Sequence, residues 1–427
     1  MRPQSFRESR LSDILPRFHS EGANEVSHTQ DVLDRAKQVL IGNYGRYPVV
    51  MARGEGSNVW DTDGKRYIDL FAGFGGCILG HCHPALVQAA TEQAHKLWHV
   101  GNSFHTEPQV EFAERLNKHA FKGQAFFCHS GLEANEAATK LARLRGSTHA
   151  KKKWKVISFH KSFHGRSLAM IAATGNPNVK VGFEPAVPGF CQVDLGDLEG
   201  LTAAVDDEVA GIIVEPIQGE GGIYPVPPEF AMEVRKICDQ RQITLIYDEV
   251  WTGGARTGKW FGHQYLVDPY GKVIEPDIMT LGKAVGGGLP VAVMYAKPQL
   301  AALFTPGKHG CTLGGNPICM AVAKTIFDVI ERENLLQNAL SQGEYAVSKL
   351  KSDPRISQKV VEVRGRGLML GIELKAPPEK VVEKGLERGI ILNLTAQKVI
   401  RLAPPINISK ADWDQGLELV IQTLAAA

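Results

Sequence analysis

Asp277-Ile-Met-Thr-Leu-Gly-Lys-Ala-Val-Gly-Gly-Gly-Leu-Pro290 is the stretch around which the chain is organised. Ile278 to Leu281 form a short apolar run of strand type, a single lysine, Lys283, stands just beyond it, and Gly286 to Gly288 follow. Lysine is ordinarily a solvated charge. Here the flanking glycines let backbone and ligand approach the ammonium closely. Upstream, Ile243-Thr-Leu-Ile-Tyr-Asp248 is a second apolar run, and it ends on a carboxylate. An ionised carboxylate at the end of a buried strand needs a partner. A helix cap or a local arginine such as Arg256 is one such partner, and a protonated heterocyclic nitrogen of a ligand is another.

The pattern repeats on either side. Phe126-Phe127, Val156 to Phe159, Gly211 to Glu215 and Val291 to Ala296 are further apolar runs. Between several of them lie amphipathic segments, such as Ala134, Ala137, Ala138, Leu141 and Leu144 at helical spacing. Strands alternating with helical crossovers predict an α/β fold, a mainly parallel sheet flanked by helices. Ligands of such sheets gather at the carboxyl ends of the strands. Nearer the N-terminus, Asn58 to Leu70 alternates around Asp63-Gly64, the signal of a hairpin with a two-residue turn. Pro84 opens a helix with Leu86, Ala90, Ala94 and Trp98 on one face, and a second helix starts near Pro108. After about residue 310 the pattern becomes that of a smaller α+β domain. It has a long helix from Ile318 to Glu331, strands Leu368 to Leu374 and Ile390 to Leu394, and a last helix carrying Trp413, Leu417, Val420 and Leu424. The expected division is an N-terminal segment, 1–75, packing with a small C-terminal domain, 311–427, beside a large ligand-binding domain, 76–310.

Composition narrows the class. At 427 residues, 44% hydrophobic and 22% charged, the chain can bury a sizeable core and is composed like an ordinary soluble globular protein. A net charge of +2 with no long basic run argues for no nucleic-acid partner, and Lys151 to Lys155 reads as a solvated turn before a strand. Seven scattered cysteines make no disulfide framework and favour a reducing compartment, so a cytoplasmic location is expected. Cys77, His81, Cys82 and His83 crowd together but match no common zinc spacing, and no metal is expected. Arg2, Arg7, Arg10 and Arg17 are offset by Glu8, Asp13, Glu21 and Glu25, unlike a transit peptide, and no apolar stretch reaches membrane-spanning length.

Ser130-Gly-Leu-Glu-Ala-Asn135 stands between the Phe126-Phe127 run and the helical segment after it. Ser130 and Glu133 match a capping box, a structural role. The same glycine turn at a helix N-terminus also presents free N–H groups to a phosphate. Phosphate cradle, buried aspartate and glycine-flanked lysine, in that order at strand ends, together suit pyridoxal 5'-phosphate. The turn anchors the phosphate, Asp248 keeps the pyridine nitrogen protonated, and Lys283 forms the Schiff base.

Separated motifs from about Tyr44 to Ser409 carry a family resemblance. They are Leu79-Gly-His-Cys-His-Pro84, Phe126-Phe-Cys-His-Ser-Gly-Leu-Glu-Ala-Asn-Glu-Ala-Ala138, Ser162-Phe-His-Gly-Arg166, Glu215-Pro-Ile-Gln-Gly-Glu-Gly-Gly222, Asp248-Glu-Val250, Gly314-Gly-Asn-Pro317 and Ile400-Arg-Leu-Ala-Pro-Pro405. In these the chain resembles the class III aminotransferases of pyridoxal phosphate fold type I. The resemblance implies a sheet of the seven-stranded type and ping-pong transamination between small molecules. It gives Lys283 and Asp248 the catalytic roles, and Ser130, Gly131 and Leu132 the phosphate. Phe163 and Val250 would cover the two faces of the ring. Thr312 would reach the phosphate of the neighbouring subunit, so that a homodimer shares its sites. Arg166 and Arg401 would clamp substrate carboxylates, with Glu220 neutralising one of them when the substrate carries a single carboxylate. Taken without the resemblance, Arg401 reads as a strand-edge charge, Glu220 as solvent-facing and Phe163 as core.

Three positions depart from the family pattern. Trp251 stands where glutamine is usual near the cofactor's phenolic oxygen, and an indole offers one donor and no acceptor. Leu132 replaces threonine or alanine, and Cys311 replaces a serine that contacts substrate across the subunits. Thr106-Glu-Pro-Gln109, Gly182-Phe-Glu-Pro185 and Arg364-Gly-Arg-Gly-Leu-Met369 resemble the branch that uses N2-acetyl-L-ornithine and 2-oxoglutarate. Ornithine, succinylornithine and 4-aminobutyrate are the alternative donors. A nucleotide-dependent oxidoreductase is disfavoured because no Gly-x-Gly-x-x-Gly follows the early strands. A non-catalytic cofactor-binding protein is the third reading.

Overall fold

The computed structural model describes residues 27–426. The offsetting charges of the first 25 residues lie outside the described residues. A seven-stranded sheet forms the centre, in the spatial order Gln124–Cys128, Ala292–Ala296, Ile278–Leu281, Thr244–Asp248, Val209–Val214, Lys155–Phe159 and Phe190–Val193. Ala292–Ala296 runs antiparallel to both neighbours, and the other pairings are parallel. Val209–Val214, Thr244–Asp248, Ile278–Leu281 and Ala292–Ala296 are buried along their whole length. Continuous apolar runs rather than alternation are what a sheet covered on both faces requires. The helix Gly131–Gly146 packs its small residues against the sheet: Ala134, Ala137, Ala138 and Ala142 are buried, and a Cβ at Gly211 would lie 3.2 Å from that of Ala142. The strand Phe190–Val193 escapes the sequence pattern because, at the sheet edge, it is only partly covered and contains Cys191 and Gln192.

The hairpin forms, with Asn58 opposite Ile68 and Trp60 opposite Arg66, but its turn is longer than two residues. The Asp61 carboxylate accepts the amides of Asp63 at 3.0 Å and Lys65 at 2.8 Å, which widens the turn around Gly64 at φ +82°. The helices at Pro84–Ala94 and Glu107–His119 start where the prolines place them. Trp98, assigned to the face of the first, lies past its end and is exposed.

The expected strand Ile390 to Leu394 is two strands in different sheets. Ile390–Ile391 pairs in parallel with Arg66–Asp69, and Asn393–Thr395 pairs with Val399–Leu402. This split fastens the C-terminal part of the chain to its N-terminal hairpin, a contact between residues more than three hundred apart. The small sheet is completed by Val360–Arg366 and Met369–Leu374. The helix Pro317–Arg332 packs on the helices Pro84–Ala94 and Glu107–His119, and the last helix, Lys410–Ala425, buries Trp413, Leu417, Val420 and Leu424.

Candidate active site

Asp248 is the last residue of its strand and pairs in register with Thr280 on the next, so it and Lys283 leave the same edge of the sheet side by side. The turn Ser130–Gly131, the loop from Phe163 to Arg166, and Glu215 follow three other strands to that edge. There they enclose a cavity of about 440 Å³, the size of small-molecule sites.

The Asp248 carboxylate is buried and partnered on one side. Its Oδ2 accepts from Asn135 Nδ2 at 2.8 Å and lies 2.7 Å from His164 Nδ1. Asn135 is itself fixed by Thr280 Oγ1, which donates to its Oδ1 at 2.7 Å. Oδ1 of Asp248 accepts the Val250 amide at 3.1 Å, and the residue borders the cavity. Arg256, a candidate partner on sequence grounds, points elsewhere: it is buried and donates to the carbonyls of Leu368 and Pro404.

Lys283 sits at φ +45°, a backbone conformation that lysine rarely adopts, and such strain persists only where the surroundings over-determine it. Burial pushes its amine below the usual lysine range, against the attraction of Glu220, Asp248 and Glu215. A lysine amine that gives up its proton more readily is better suited to act as a nucleophile and a base.

The turn before the helix Gly131–Gly146 is a complete capping box. Glu133 N donates to Ser130 Oγ at 3.3 Å, and Ser130 N donates to Glu133 Oε2 at 2.9 Å. The amides of Gly131 and Leu132, at the first two helical positions, have no acceptor within the helix. Close approach explains the glycines: a Cβ at Gly131 would lie 2.5 Å from Val250 Cγ1, and one at Gly282 would lie 3.3 Å from Gly131 N. Free amides at a helix N-terminus, an oriented buried carboxylate and a deprotonatable lysine are the donor set that pyridoxal phosphate requires for its phosphate, ring nitrogen and aldehyde.

Phe163 and Val250 border the cavity, and the Phe163 amide donates to Glu215 Oε1 at 2.9 Å. Glu215 also accepts the Gly219 amide at 2.9 Å, and burial raises its carboxyl to about 7. Arg166 is exposed, with its guanidinium 5.5 Å from the Phe163 ring centre. Arg401 is not the strand-edge surface charge that its local sequence suggests. It is buried, pairs with Glu220 at 2.9 Å, and receives support from Asn393 Oδ1 at 2.8 Å. Burial pushes its guanidinium down while Glu220 holds it up.

Trp251 is 4% exposed and forms one wall of this site. Both Lys283 Nζ and Arg401 Cζ lie 4.6 Å from its ring centre. The indole fills space that two glycines leave: a Cβ at Gly75 would be 2.4 Å from Nε1, and one at Gly219 would be 2.1 Å from Cε3. Its Nε1 is buried with no acceptor among the described residues. Thr312 is exposed, and Cys311 meets His129 and Glu133 of its own chain, 3.4 Å from His129 Nδ1. Neither borders this chain's cavity.

Asn135, His164 and Glu215 were not singled out from the sequence. Each is a polar residue inside a quoted motif. Their convergence joins residues 113, 84 and 52 positions apart, which no local spacing reports.

The family model described as Aminotransferase class-III matches residues 41–424. The chain is similar to the acetylornithine aminotransferase of Caldanaerobacter subterraneus subsp. tengcongensis, with 41% identity over 391 residues covering 91% of this chain and 98% of that protein. Among solved structures it resembles the ornithine aminotransferase from Toxoplasma gondii ME49, with a TM-score of 0.88, 29% identity, and coverage of 94% of this chain and 96% of that one. The acetylornithine aminotransferase from Elizabethkingia anophelis gives a TM-score of 0.80 at 29% identity, covering 93% and 99%. With a match over nearly its whole length and a cradle that fits the cofactor, the chain belongs to the class-III aminotransferases, enzymes that transfer amino groups with pyridoxal phosphate.

Proposed function

We propose that this aminotransferase moves the side-chain amine of N2-acetyl-L-ornithine to 2-oxoglutarate, giving N-acetyl-L-glutamate 5-semialdehyde and L-glutamate. The observation that carries the choice of donor is the 41% identity to an acetylornithine aminotransferase over 98% of that protein. Pyridoxal phosphate supplies the electron sink. Lys283 would hold it covalently, and its amine, which burial makes readier to give up a proton, would carry the proton of the substrate carbon. Asp248, held by Asn135 and His164, would keep a proton on the ring nitrogen. The Gly131 and Leu132 amides would hold the phosphate, and Phe163 and Val250, which line the cavity, would flank the ring. Trp251 shapes the wall beside Lys283.

Arg166, with no carboxylate paired to it among the described residues, takes the α-carboxylate of the donor. Glu220 occupies Arg401 while that donor is bound, and releases it to the second carboxylate of 2-oxoglutarate. The loop carrying Glu220 is steadied by Arg364, which donates to the carbonyls of Gly222 and Ile223.

The protein acts as a homodimer in this reading. Trp98, Val100, Phe104 and Val110 are exposed apolar side chains, and their segment is bonded through Asn102 and Gln109 to the loop that bears Cys311 and Thr312. Pairing across that ridge covers it and carries Thr312 to the partner's phosphate. Of the expected division, the described parts 27–75 and 311–426 make up the small unit beside the large one, 76–310. Seven free thiols suit the cytoplasm, and among the described residues no helix is long and apolar enough to cross a membrane.

A donor panel with 2-oxoglutarate as acceptor tests the reading. The expected result is a kcat/KM for N2-acetyl-L-ornithine above those for ornithine, succinylornithine and 4-aminobutyrate. A higher value for any of the other three overturns the donor assignment.

A further inference from the structure

Three side chains from two distant parts of the chain meet beside the phosphate turn. His129 follows the strand Gln124–Cys128, Glu133 lies in the first turn of the next helix, and Cys311 lies on the loop before the helix Pro317–Arg332. His129 Nδ1 is 3.0 Å from Glu133 Oε1 and 3.4 Å from Cys311 Sγ, and that sulfur is 3.7 Å from the same Oε1. Bonds of about 2.3 Å to sulfur and about 2.0–2.1 Å to nitrogen or oxygen place the ligand atoms of a tetrahedral zinc ion roughly 3.3–3.6 Å apart. The three separations bracket that edge length.

A thiol–imidazole–carboxylate relay would use opposite nitrogens of the ring. Here the sulfur is nearer Nδ1, at 3.4 Å, than Nε2, at 3.9 Å, so thiol and carboxylate crowd the same nitrogen. The imidazole N–H and the thiol converge on Oε1, and one cation can take all three donor atoms in place of those protons. The carboxylate is also oriented in advance. Its Oε2 accepts the amides of His129 at 3.1 Å and Ser130 at 2.9 Å and the Ser130 hydroxyl at 2.8 Å, leaving Oε1 turned toward the cluster. Outer contacts of this kind fix metal-ligating carboxylates. All three residues are partly exposed and His129 borders the cavity, which provides an entry path and room for a water ligand.

We propose that His129, Glu133 and Cys311 bind one thiophilic divalent cation of the zinc class per subunit, with water as the fourth ligand. The mixed sulfur, nitrogen and oxygen set selects zinc over magnesium or calcium. Binding displaces the Cys311 thiol proton to solvent and joins the sulfur to the metal as thiolate. Occupancy tethers the loop of Cys311 and Thr312 to the turn that carries Ser130. This inference does not depend on which amino donor the enzyme uses.

The test is equilibrium dialysis of the holoenzyme against Zn(II), with Co(II) as a spectroscopic probe. One zinc per subunit is expected, with affinity falling at least about tenfold in both Cys311→Ser and His129→Asn. Co(II) should give a thiolate-to-metal charge-transfer band in the wild type that Cys311→Ser lacks. A Cys82→Ser/Cys191→Ser variant, which removes the two exposed thiols, should bind as the wild type does. Absence of saturable zinc binding, or binding unchanged in Cys311→Ser, overturns the proposal and leaves the three residues a hydrogen-bonded cluster only.

Discussion

Gly219→Ala should destabilise this enzyme, and the same substitution should become harmless once Trp251 is removed. An added Cβ at Gly219 would lie 2.1 Å from Cε3 and 2.5 Å from Cζ3 of the indole, well inside contact distance. The ring cannot retreat easily, since Gly75 stands against its other edge and Phe71, Ile217, Ile223 and Met369 pack with it. Overpacking of this kind costs about 1–3 kcal/mol. Gly219 is outside the positive-φ region, so with the indole gone the backbone accepts alanine, and the loss of unfolded-chain entropy stabilises by about 0.4–1 kcal/mol. Trp251→Ala alone should cost about 3–5 kcal/mol for the cavity, with the lost Arg401 stacking contributing about 0.5–2 kcal/mol of that order. The two substitutions together should therefore be better than additive by about 1.4–4 kcal/mol, a coupling of the size seen for residues in direct contact. Urea unfolding of the four holoenzymes, at one protein concentration and one cofactor concentration, measures it. Equal cost of Gly219→Ala in both backgrounds would refute the claim that these glycines exist to seat the indole.

Lys283→Ala should still bind pyridoxal phosphate through the phosphate turn but lose the Schiff-base absorption and transaminate slower by orders of magnitude, as visible spectra and turnover assays will show. Asp248→Asn keeps the shape and removes the charge, and a loss of about a hundredfold in single-turnover rate is expected, with fold and secondary structure unchanged by circular dichroism. Glu373 is held down to about 2 by Lys398 and Arg364. Its folded pKa is thus below the unfolded value, so its stabilisation is present above pH 4.5 and is lost as pH falls toward 2. Glu373→Gln should cost about 1 kcal/mol at pH 7, since the partly exposed Lys398 pair is screened by solvent, and its urea midpoint should converge on that of the wild type as the pH falls through this window. Ser130→Ala should cost about 0.5–2 kcal/mol by removing the cap and should also weaken cofactor retention, measurable by dialysis.

Much of the fold could be read from one dimension because the large sheet is buried on both faces. Burial demands unbroken apolar runs, and each such run ended near its observed strand. The capping box at Ser130 and Glu133 and the proline-led helices were legible for the same reason: their partners lie within four residues. The exposed edge strand Phe190–Val193 had no such constraint, and the split at Leu392 is set by which distant strand each half meets. Local reading also misplaced Arg401, which a surface pattern hides and a buried pair with Glu220 reveals.

Neighbouring residues specify strand ends and helix caps, so local sequence alone places a glycine turn, an acid and a lysine, each at the end of an apolar run. Only the tertiary structure decided what surrounds them. Asn135 and His164 orient Asp248, the indole of Trp251 occupies the gap between Gly75 and Gly219, and Cys311 meets His129 and Glu133. Those contacts join positions tens to hundreds of residues apart. Their geometry depends on sheet order and loop packing, which no local pattern of side chains encodes.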